Sequence, residues 1–277
     1  MRIYACTSIK GGVGKTASAV NLAFASAQAG HRTLVWDLDP QAAASFHFRV
    51  KPKHKRLGRV LVRGEVELDD CVRSSEYERL DVVPANISLR RLDSALEHSK
   101  HPERWLTNAL EAVSEDYDNV FLDCAPGLTT VAESVYECAD ALLVPAIPTP
   151  LSLRALAQLM KFLHARDQRR YRVLPFFSMV DRRKALHRET CEWIHAQPIR
   201  FLRSEIPYSS LVEQTGVRRA PLASFAPQSA AALAYGELWR EIEQRVEARR
   251  DEARGETEAP PRLVDAQIAM WREHRAT

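Results

Sequence analysis

Long apolar runs, paired cysteines and a strong excess of one charge are all missing from this sequence, and each absence excludes a class of protein. No window approaches the roughly 18 consecutive apolar residues that span a bilayer. Residues 1–6 show no charged segment leading into a long apolar stretch and a cleavage site, so no secretory signal is expected. The five cysteines are scattered and none lies in a Cys-x-x-Cys pair, which argues against a disulfide framework or a structural zinc site. We therefore expect a cytoplasmic protein.

The charge balance limits how the chain could bind nucleic acid. The formal net charge is only +3, so any nucleic-acid surface must come from a local cluster of arginines. The length of 277 residues, with 45% hydrophobic and 27% charged residues, is typical of a globular protein. A sizeable buried core is expected.

The order of apolar and small residues predicts an α/β fold. Residues 2–8 are typical of a strand, 10–16 of a glycine-rich loop, 17–29 of a helix that Gly30 ends, and 33–36 of a second buried strand. This order predicts a mostly parallel, twisted sheet with helices on both faces. Further strands are predicted at 80–83, 120–122, 141–144, 173–179 and near 201–206, and helices at 89–99, 102–114, 129–138, 151–166, 185–195 and 229–250.

The composition changes near residue 249 and suggests where the domain ends. Residues 1–248 are predicted to form one domain, and 249–277 a charged linker followed by a short helix at 263–273. Residues 51–56, Lys-Pro-Lys-His-Lys-Arg, are predicted to form a basic, exposed loop.

The loop at residues 10–16, Lys-Gly-Gly-Val-Gly-Lys-Thr, has the composition of a phosphate-binding loop. Such a loop aims consecutive backbone N–H groups at one point, and glycines allow the unusual φ and ψ angles that this needs. Lys15 would reach the β- and γ-phosphates of ATP, and the Thr16 hydroxyl would bind Mg²⁺. The strict pattern has glycine where this chain has Ile9. The predicted nucleotide-binding residues of this segment are Lys10, Gly11, Gly12, Val13, Gly14, Lys15, Thr16 and Ala17.

Three aspartates follow apolar strands and are candidates for the same site. Asp37 and Asp39 come after the second strand, and Asp123 ends the strand predicted at 120–122. Because parallel strands present their carboxyl ends at one edge of the sheet, these carboxylates are expected near the phosphate-binding loop. The alternative is that each caps the helix that follows it.

The extra lysine at the front of the loop, Lys10, is the feature on which a family resemblance first depends. Residues 10–16, together with Asp-Leu-Asp-Pro-Gln at 37–41, resemble the deviant Walker A ATPases of the ParA/MinD family, with ParA-type partition ATPases closer than MinD. The similarity continues in the segments 83–89, 121–127, 179–183 and 206–214. It thus extends to about residue 248 and implies the P-loop NTPase fold of the deviant Walker A class.

The resemblance implies a role for each matching position. Lys10 would cross a dimer interface and touch the partner's ATP, while Asp39 would orient or activate the attacking water. Asp37 would help to organise Mg²⁺ and the switch segment, and Asp123 would hold a magnesium-bound water. The implied catalytic residues are Lys10, Lys15 and Asp39, and the implied metal residues are Thr16, Asp37 and Asp123.

The resemblance also implies an adenine pocket, formed by the segment after the 173–179 strand and by the Ile-Pro segment at 206–207. Met179, Asp181 and Pro207 are the candidates, with packing at a strand end and a turn as the alternative. The sequence departs from the family's pattern at two switch positions. Ala42 and Ala43 stand where Gly-Asn is common, and Ala125-Pro126-Gly127 replaces Pro-Pro-Ser.

In the ParA group, an ATP-bound homodimer binds DNA without sequence preference, and a ParB-like protein or cargo adaptor stimulates hydrolysis and release. Arginines in the carboxyl half could supply the phosphate contacts for nucleoid association, although Gln228 replaces a basic residue of the family pattern. The alternative is a solvated face whose arginines pair with Glu189, Glu192, Glu205 and Glu213. The candidates are Arg182, Arg183, Arg188, Arg200, Arg203, Arg218 and Arg219.

Three other functions compete with this interpretation. A MinD-like membrane switch would use an amphipathic C-terminal helix, but the apolar face of Val264, Ile268 and Trp271 is thin, so membrane binding is not expected. A nitrogenase-reductase-like enzyme needs cysteines that bridge a cluster at a dimer interface, and Cys124 and Cys138 do not match its pattern. A non-catalytic scaffold would not be expected to have the lysines and aspartates together.

Overall fold

The sheet is the element that positions the site. The computed structural model describes residues 1–165, 172–197 and 201–252, with only the backbone of 249–252. Within these residues, seven strands form one sheet in the order β3-β4-β2-β5-β1-β6-β7. The strands are β1 (Arg2–Cys6), β2 (Thr33–Asp37), β3 (Arg73–Ser74), β4 (Leu80–Val83), β5 (Asn119–Asp123), β6 (Ala141–Ala146) and β7 (Arg172–Phe177).

All strands except the edge strand β3 run parallel, so their carboxyl ends meet at one edge. β1 lies between β5 and β6, and β2 lies on the other side of β5. Asp123 is in register with both Cys6 and Asp37. The predicted aspartates therefore lie beside the loop that follows β1.

Helices cover both faces of the sheet. Two 3₁₀ helices, Ile87–Arg91 and Pro102–Arg104, precede α5 and α6. The α-helices of the described residues are α1 (Lys15–Gln28), α2 (Ala43–His47), α3 (Leu57–Val62), α4 (Leu68–Cys71), α5 (Leu92–Glu97), α6 (Trp105–Glu111), α7 (Thr130–Cys138), α8 (Pro150–Ala165), α9 (Ala185–Ala196), α10 (Ser210–Arg218), α11 (Leu222–Phe225) and α12 (Ala230–Glu252).

Alternation along each strand divides the core into two layers. Val35 and Phe121 face the cluster that contains α1 and α12, whereas Trp36 and Leu122 face the cluster that contains α7 and α8. All four are fully buried because successive side chains of a strand point to opposite faces of the sheet. The mostly parallel α/β architecture predicted from the sequence is confirmed.

The prediction of a strand near residues 201–206 is wrong. Leu202 and Ile206 are buried, and their amides donate to Pro175 and Phe177 of β7. Between them, the amides of Arg203 and Ser204 donate to the carboxylate of Glu241 in α12, at 2.8 and 2.9 Å. The side chain of a distant helix thus takes the donors that a strand ladder needs.

Several other sequence predictions can be compared with the structure. The basic segment 51–56 forms a partly exposed loop, as predicted. The sequence did not predict the edge strand β3 or the helices α2, α3, α4, α10 and α11. The helix predicted at 263–273 lies outside the described residues, and the domain boundary at 248 stays a prediction. Among the described residues, none of the helices combines the length and apolarity that a membrane crossing requires.

Candidate nucleotide site

The glycine-rich loop connects the end of β1 to the start of α1 at the carboxyl edge of the sheet. Gly12 and Gly14 have φ angles of 73° and 93°, in the left-handed region that glycine enters without strain. A Cβ atom on Gly14 would lie 2.8 Å from Ser178 Oγ, which is too close for real atoms. The loop is therefore packed against the end of β7, while Gly11 and Gly12 are exposed to solvent.

Gly14→Ala is expected to lower the free energy of unfolding by about 2 kcal/mol, because it combines a left-handed backbone with an overlap against Ser178. Denaturant unfolding measures this directly. Gly11→Ala is the matched control, since its Cβ would have nothing within 4 Å and its φ angle lies outside the left-handed region. Equal stability of the two variants would contradict the observed packing of the loop.

Lys15 and Asp123 form the buried centre of the site. Lys15 is 7% exposed, its Nζ donates to the carbonyl of Lys10 at 3.5 Å, and burial lowers the pKa of its ammonium group while Asp123 opposes that shift. Asp123 is fully buried, and within the part of the chain that the structure describes neither of its oxygens makes a hydrogen bond of normal length, although the Thr16 hydroxyl is close enough to act on the carboxylate. Burial, and next the charge of Asp37, raise the pKa of Asp123, whereas Thr16 lowers it. A buried carboxylate with unused hydrogen-bonding capacity is suited to bind a cation or a water molecule of that cation.

Asp37 holds the segment that follows β2 in place. Its Oδ1 accepts from the amide of Asp39 at 3.1 Å, and its Oδ2 accepts from the amide and hydroxyl of Ser45 at 2.8 and 2.7 Å. Burial raises the pKa of Asp37 to about 6, opposed by these hydrogen bonds. The Ser45 hydroxyl in turn accepts from the amide of Ala85 at 2.8 Å. Asp37 thus connects the segment after β2 to α2, and its predicted roles in the switch segment and in metal binding stay predictions.

Asp39 and Lys10 are less buried than this centre. Asp39 Oδ1 accepts from the amide of Gln41 at 2.8 Å, and its charge raises the pKa of Lys15, so it faces the same site. The amide of Lys10 donates to the hydroxyl of Ser8 at 3.2 Å, which fixes the backbone at the front of the loop. Both side chains are available for groups that arrive from outside.

The oxygen ligands at this site fit Mg²⁺ only if nucleotide phosphates supply further ligands. Among residues 1–165, 172–197 and 201–252, no group of three or more His, Cys, Asp or Glu side chains is placed to hold a metal. Mg²⁺ commonly uses one or two carboxylates together with water and substrate phosphates. The orphaned carboxylate of Asp123 and the nearby hydroxyl of Thr16 fit that arrangement.

The structure brings the three adenine candidates to one place beside the loop. Val180 pairs with Pro207 in an isolated parallel bridge, and Met179 has a φ angle of 56° and lies against Gly14. Asp181 is already paired with Arg183, at 2.8 Å and 3.0 Å, and this hydrogen bonding lowers the pKa of Asp181 to about 2. Adenine contacts from these residues stay a prediction.

The candidate DNA-binding arginines fall into two groups. Arg182 pairs with Glu205 at 2.7 Å and Arg183 with Asp181, while Arg188 and Arg203 donate to the carbonyls of Arg182 and His195. Arg218 and Arg219 instead lie over the rings of Phe225 and Phe46, at 4.8 and 4.4 Å. Arg200 lies outside the described residues.

The sequence did not predict that Arg49 lies beside this second group of arginines. Its Nη2 donates to the carbonyl of Arg218 at 2.7 Å, so it joins the second group although it is 169 positions away in the chain. No local pattern marks such a contact.

Comparisons with known proteins agree on this architecture. The family profile described as an AAA domain matches residues 1–174. The chromosome partitioning protein ParA of Caulobacter vibrioides is 31% identical over 265 residues, which cover 91% of this chain and 98% of that protein. The structure is similar to the cell division ATPase MinD of Pyrococcus furiosus, with a TM-score of 0.72, 22% identity and coverage of 88% and 98%. It is also similar to cobyrinic acid a,c-diamide synthase of Mycobacterium smegmatis with bound ATP analogue and magnesium, with a TM-score of 0.76, 24% identity and coverage of 88% and 94%.

Proposed function

The chain belongs to the ParA/MinD family of P-loop ATPases, and from this premise we propose that it hydrolyses ATP with Mg²⁺ and that its ATP-bound homodimer binds DNA without reading the sequence. The observation that supports this best is the buried centre of Lys15 and Asp123, with the hydroxyl of Thr16 close by, beside the glycine-rich loop. A similar fold is known with a bound ATP analogue and magnesium.

The residues of the site divide the chemistry between them. The loop amides and Lys15 hold the phosphates, Thr16 and Asp123 hold the metal or its water, and Asp39 orients the attacking water. Bound Mg²⁺ supplies positive charge to the phosphate oxygens. Lys10 supplies a second cation from the partner subunit, as an arginine finger does. Met179, Asp181 and Pro207 surround the base.

Exposed apolar side chains support dimerisation through the carboxyl edge of the sheet. Ile87, Leu128 and Leu151 are 59%, 40% and 67% exposed, and each follows the carboxyl end of a parallel strand. The exposed glycines of the loop lie at the same edge. Two copies that meet here would cover these apolar groups and bring each Lys10 towards the other's nucleotide.

The dimer would position or segregate a cargo on nucleoid DNA, and a ParB-like protein or cargo adaptor would stimulate hydrolysis and release. The similarity to a chromosome partitioning protein supports this cycle. Arginines that bind backbone phosphates give affinity without reading bases.

A titration of fluorescent duplex DNA with no nucleotide, with ADP and with a slowly hydrolysed ATP analogue tests the proposal. We expect tight binding with the analogue alone. If each of two protomers contacts about three phosphates, the logarithm of the binding constant should fall with the logarithm of salt with a slope of about −5. Equal binding in all three states would overturn the proposal.

Flotation with anionic vesicles, which would detect a MinD-like switch, is expected to show no nucleotide-dependent binding.

A further inference from the structure

Helix α2 lies directly after the switch segment and is tied to it by hydrogen bonds. Ser45 of α2 donates both its amide and its hydroxyl to Asp37. The amides of Gln41 and Ala42 donate to the side chain and the carbonyl of Asp39, at 2.8 and 2.9 Å. The start of α2 is therefore hydrogen-bonded both to Asp37 and to the turn that Asp39 begins.

The other side of α2 is tied to α10. Arg219 Nε donates to the carbonyl of Phe46 at 3.0 Å, and the same guanidinium lies over the Phe46 ring. His47 Nε2 lies 3.1 Å from Thr215 Oγ1, and Arg49 donates to the carbonyl of Arg218. We call the surface of Phe46, Arg49, Arg218 and Arg219 the α2–α10 patch.

The positive charge of the α2–α10 patch is largely uncompensated. Within the described parts of the chain, its ion pair is the contact of Arg49 with Glu76 at 3.5 Å, where both side chains are about half exposed (50% and 47%). Its other contacts are carbonyl oxygens and ring faces, which leave the guanidinium charge in place. Arg182, by contrast, is neutralised by Glu205. The charge and the planar donor groups suit phosphate oxygens.

The backbone around the patch is held in an unusual conformation. Three of the non-glycine residues with positive φ in the described ranges lie at the ends of α2 and α10. They are Ala42, Arg49 and Arg219, with φ angles of 56°, 58° and 52°. Such angles persist where the surroundings enforce them, and they cluster at binding and switch regions. The two arginines each follow the end of a helix, where this conformation also ends the helix.

We propose that Arg49, Arg218 and Arg219 form the surface that binds the DNA backbone, and that α2 makes this surface depend on the nucleotide. The inference rests on the proposed function and adds the binding residue Arg49 and the connection to the site. A shift of Asp37 or Asp39 on nucleotide exchange displaces Ser45, and with it Phe46 and Arg49. Arg49, Arg218 and Arg219 then match the phosphate spacing in one state and lose it in the other.

Arg49→Ala tests the surface. In the presence of the ATP analogue, we expect about tenfold weaker binding of duplex DNA at moderate salt and a salt slope reduced in magnitude by about 2, one per protomer. Arg182→Ala is the matched control, because it removes the same charge from a residue that Glu205 already neutralises. Arg182→Ala should change the salt slope by less than half of the change that Arg49→Ala causes. Equal effects of the two variants would show that net charge, and not this surface, governs binding.

Ser45→Ala tests the connection. It removes the hydroxyl that joins Asp37 to the amide of Ala85, and we expect the ratio of DNA affinity between the ATP-analogue and ADP states to fall towards one, with nucleotide affinity kept. Ser26→Ala is the control, since Ser26 is equally buried and its hydroxyl bonds to Thr33 and Asn119, away from α2. If Ser45 is purely structural, both variants should be less stable than the unaltered protein, and neither should change the ratio of DNA affinities between the two nucleotide states.

The outcomes separate the two levels of the proposal. If the unaltered protein binds DNA equally in every nucleotide state, the proposed function fails. If it shows ATP-dependent binding while Arg49→Ala keeps the full salt slope, or Ser45→Ala keeps the full ratio, the α2–α10 patch or its connection fails and the function stands. Folding of each variant is checked by thermal unfolding, and Arg49→Ala should lower the midpoint by only a few degrees, because it removes one exposed hydrogen bond and one exposed ion pair.

Discussion

Lys15→Ala is expected to abolish detectable ATP binding, with affinity lowered roughly a thousandfold. The side chain is 7% exposed and projects into the site beside Asp123. A buried ammonium that bonds two phosphates contributes about 2 kcal/mol through each charge-assisted hydrogen bond, and about 4 kcal/mol corresponds to three orders of magnitude in affinity. The substitution also removes the cation that lowers the pKa of Asp123, so the pKa of that buried carboxyl rises further.

Calorimetric titration with ATP and Mg²⁺ measures this effect. Lys10→Ala is the control, because Lys10 is more exposed and is proposed to act on the partner's nucleotide. It should keep binding by the single subunit while losing hydrolysis, by about a thousandfold if it acts as an arginine finger does. Affinity of Lys15→Ala within tenfold of the unaltered protein would contradict the phosphate role of the loop lysine.

Asp39→Ala is expected to slow hydrolysis at least about a hundredfold and to leave an ATP-loaded dimer that does not dissociate. Proton transfer or water orientation by a positioned carboxylate contributes about 10²- to 10⁴-fold to a rate. Asp39 is oriented by the amide of Gln41 and faces the same site as Lys15, whereas ATP binding depends on the loop. Single-turnover hydrolysis and sedimentation with ATP measure the two effects.

Asp39→Asn distinguishes catalysis from a structural role. Asparagine can still accept the amide of Gln41, so the local turn is kept while the charge is lost. Hydrolysis by this variant should be as slow as by Asp39→Ala. A rate close to that of the unaltered protein in either variant would mean that Asp39 only caps the segment before α2.

The arrangement of the candidate nucleotide site could be predicted because its parts are local or follow from the sheet. The glycines of residues 10–16 allow the left-handed φ angles at Gly12 and Gly14 whatever surrounds them. Asp37 and Asp123 reach the loop because parallel strands align their carboxyl ends, and their register places them side by side. The role of Asp37 in the switch segment was predicted from the family resemblance, but its partner Ser45 was not.

Sequence alone determined the parallel α/β fold, the glycine-rich loop and the placing of the aspartates at the strand ends, since each depends on backbone preference or on the period of burial along one segment. Tertiary structure alone decided that Glu241 binds the amides of 203 and 204 in place of a strand, that Arg182 is neutralised by Glu205, and that Arg49 meets Arg218. The physical reason is that each donor and each charge has several partners of similar energy, and only the packed chain determines which of them comes within reach.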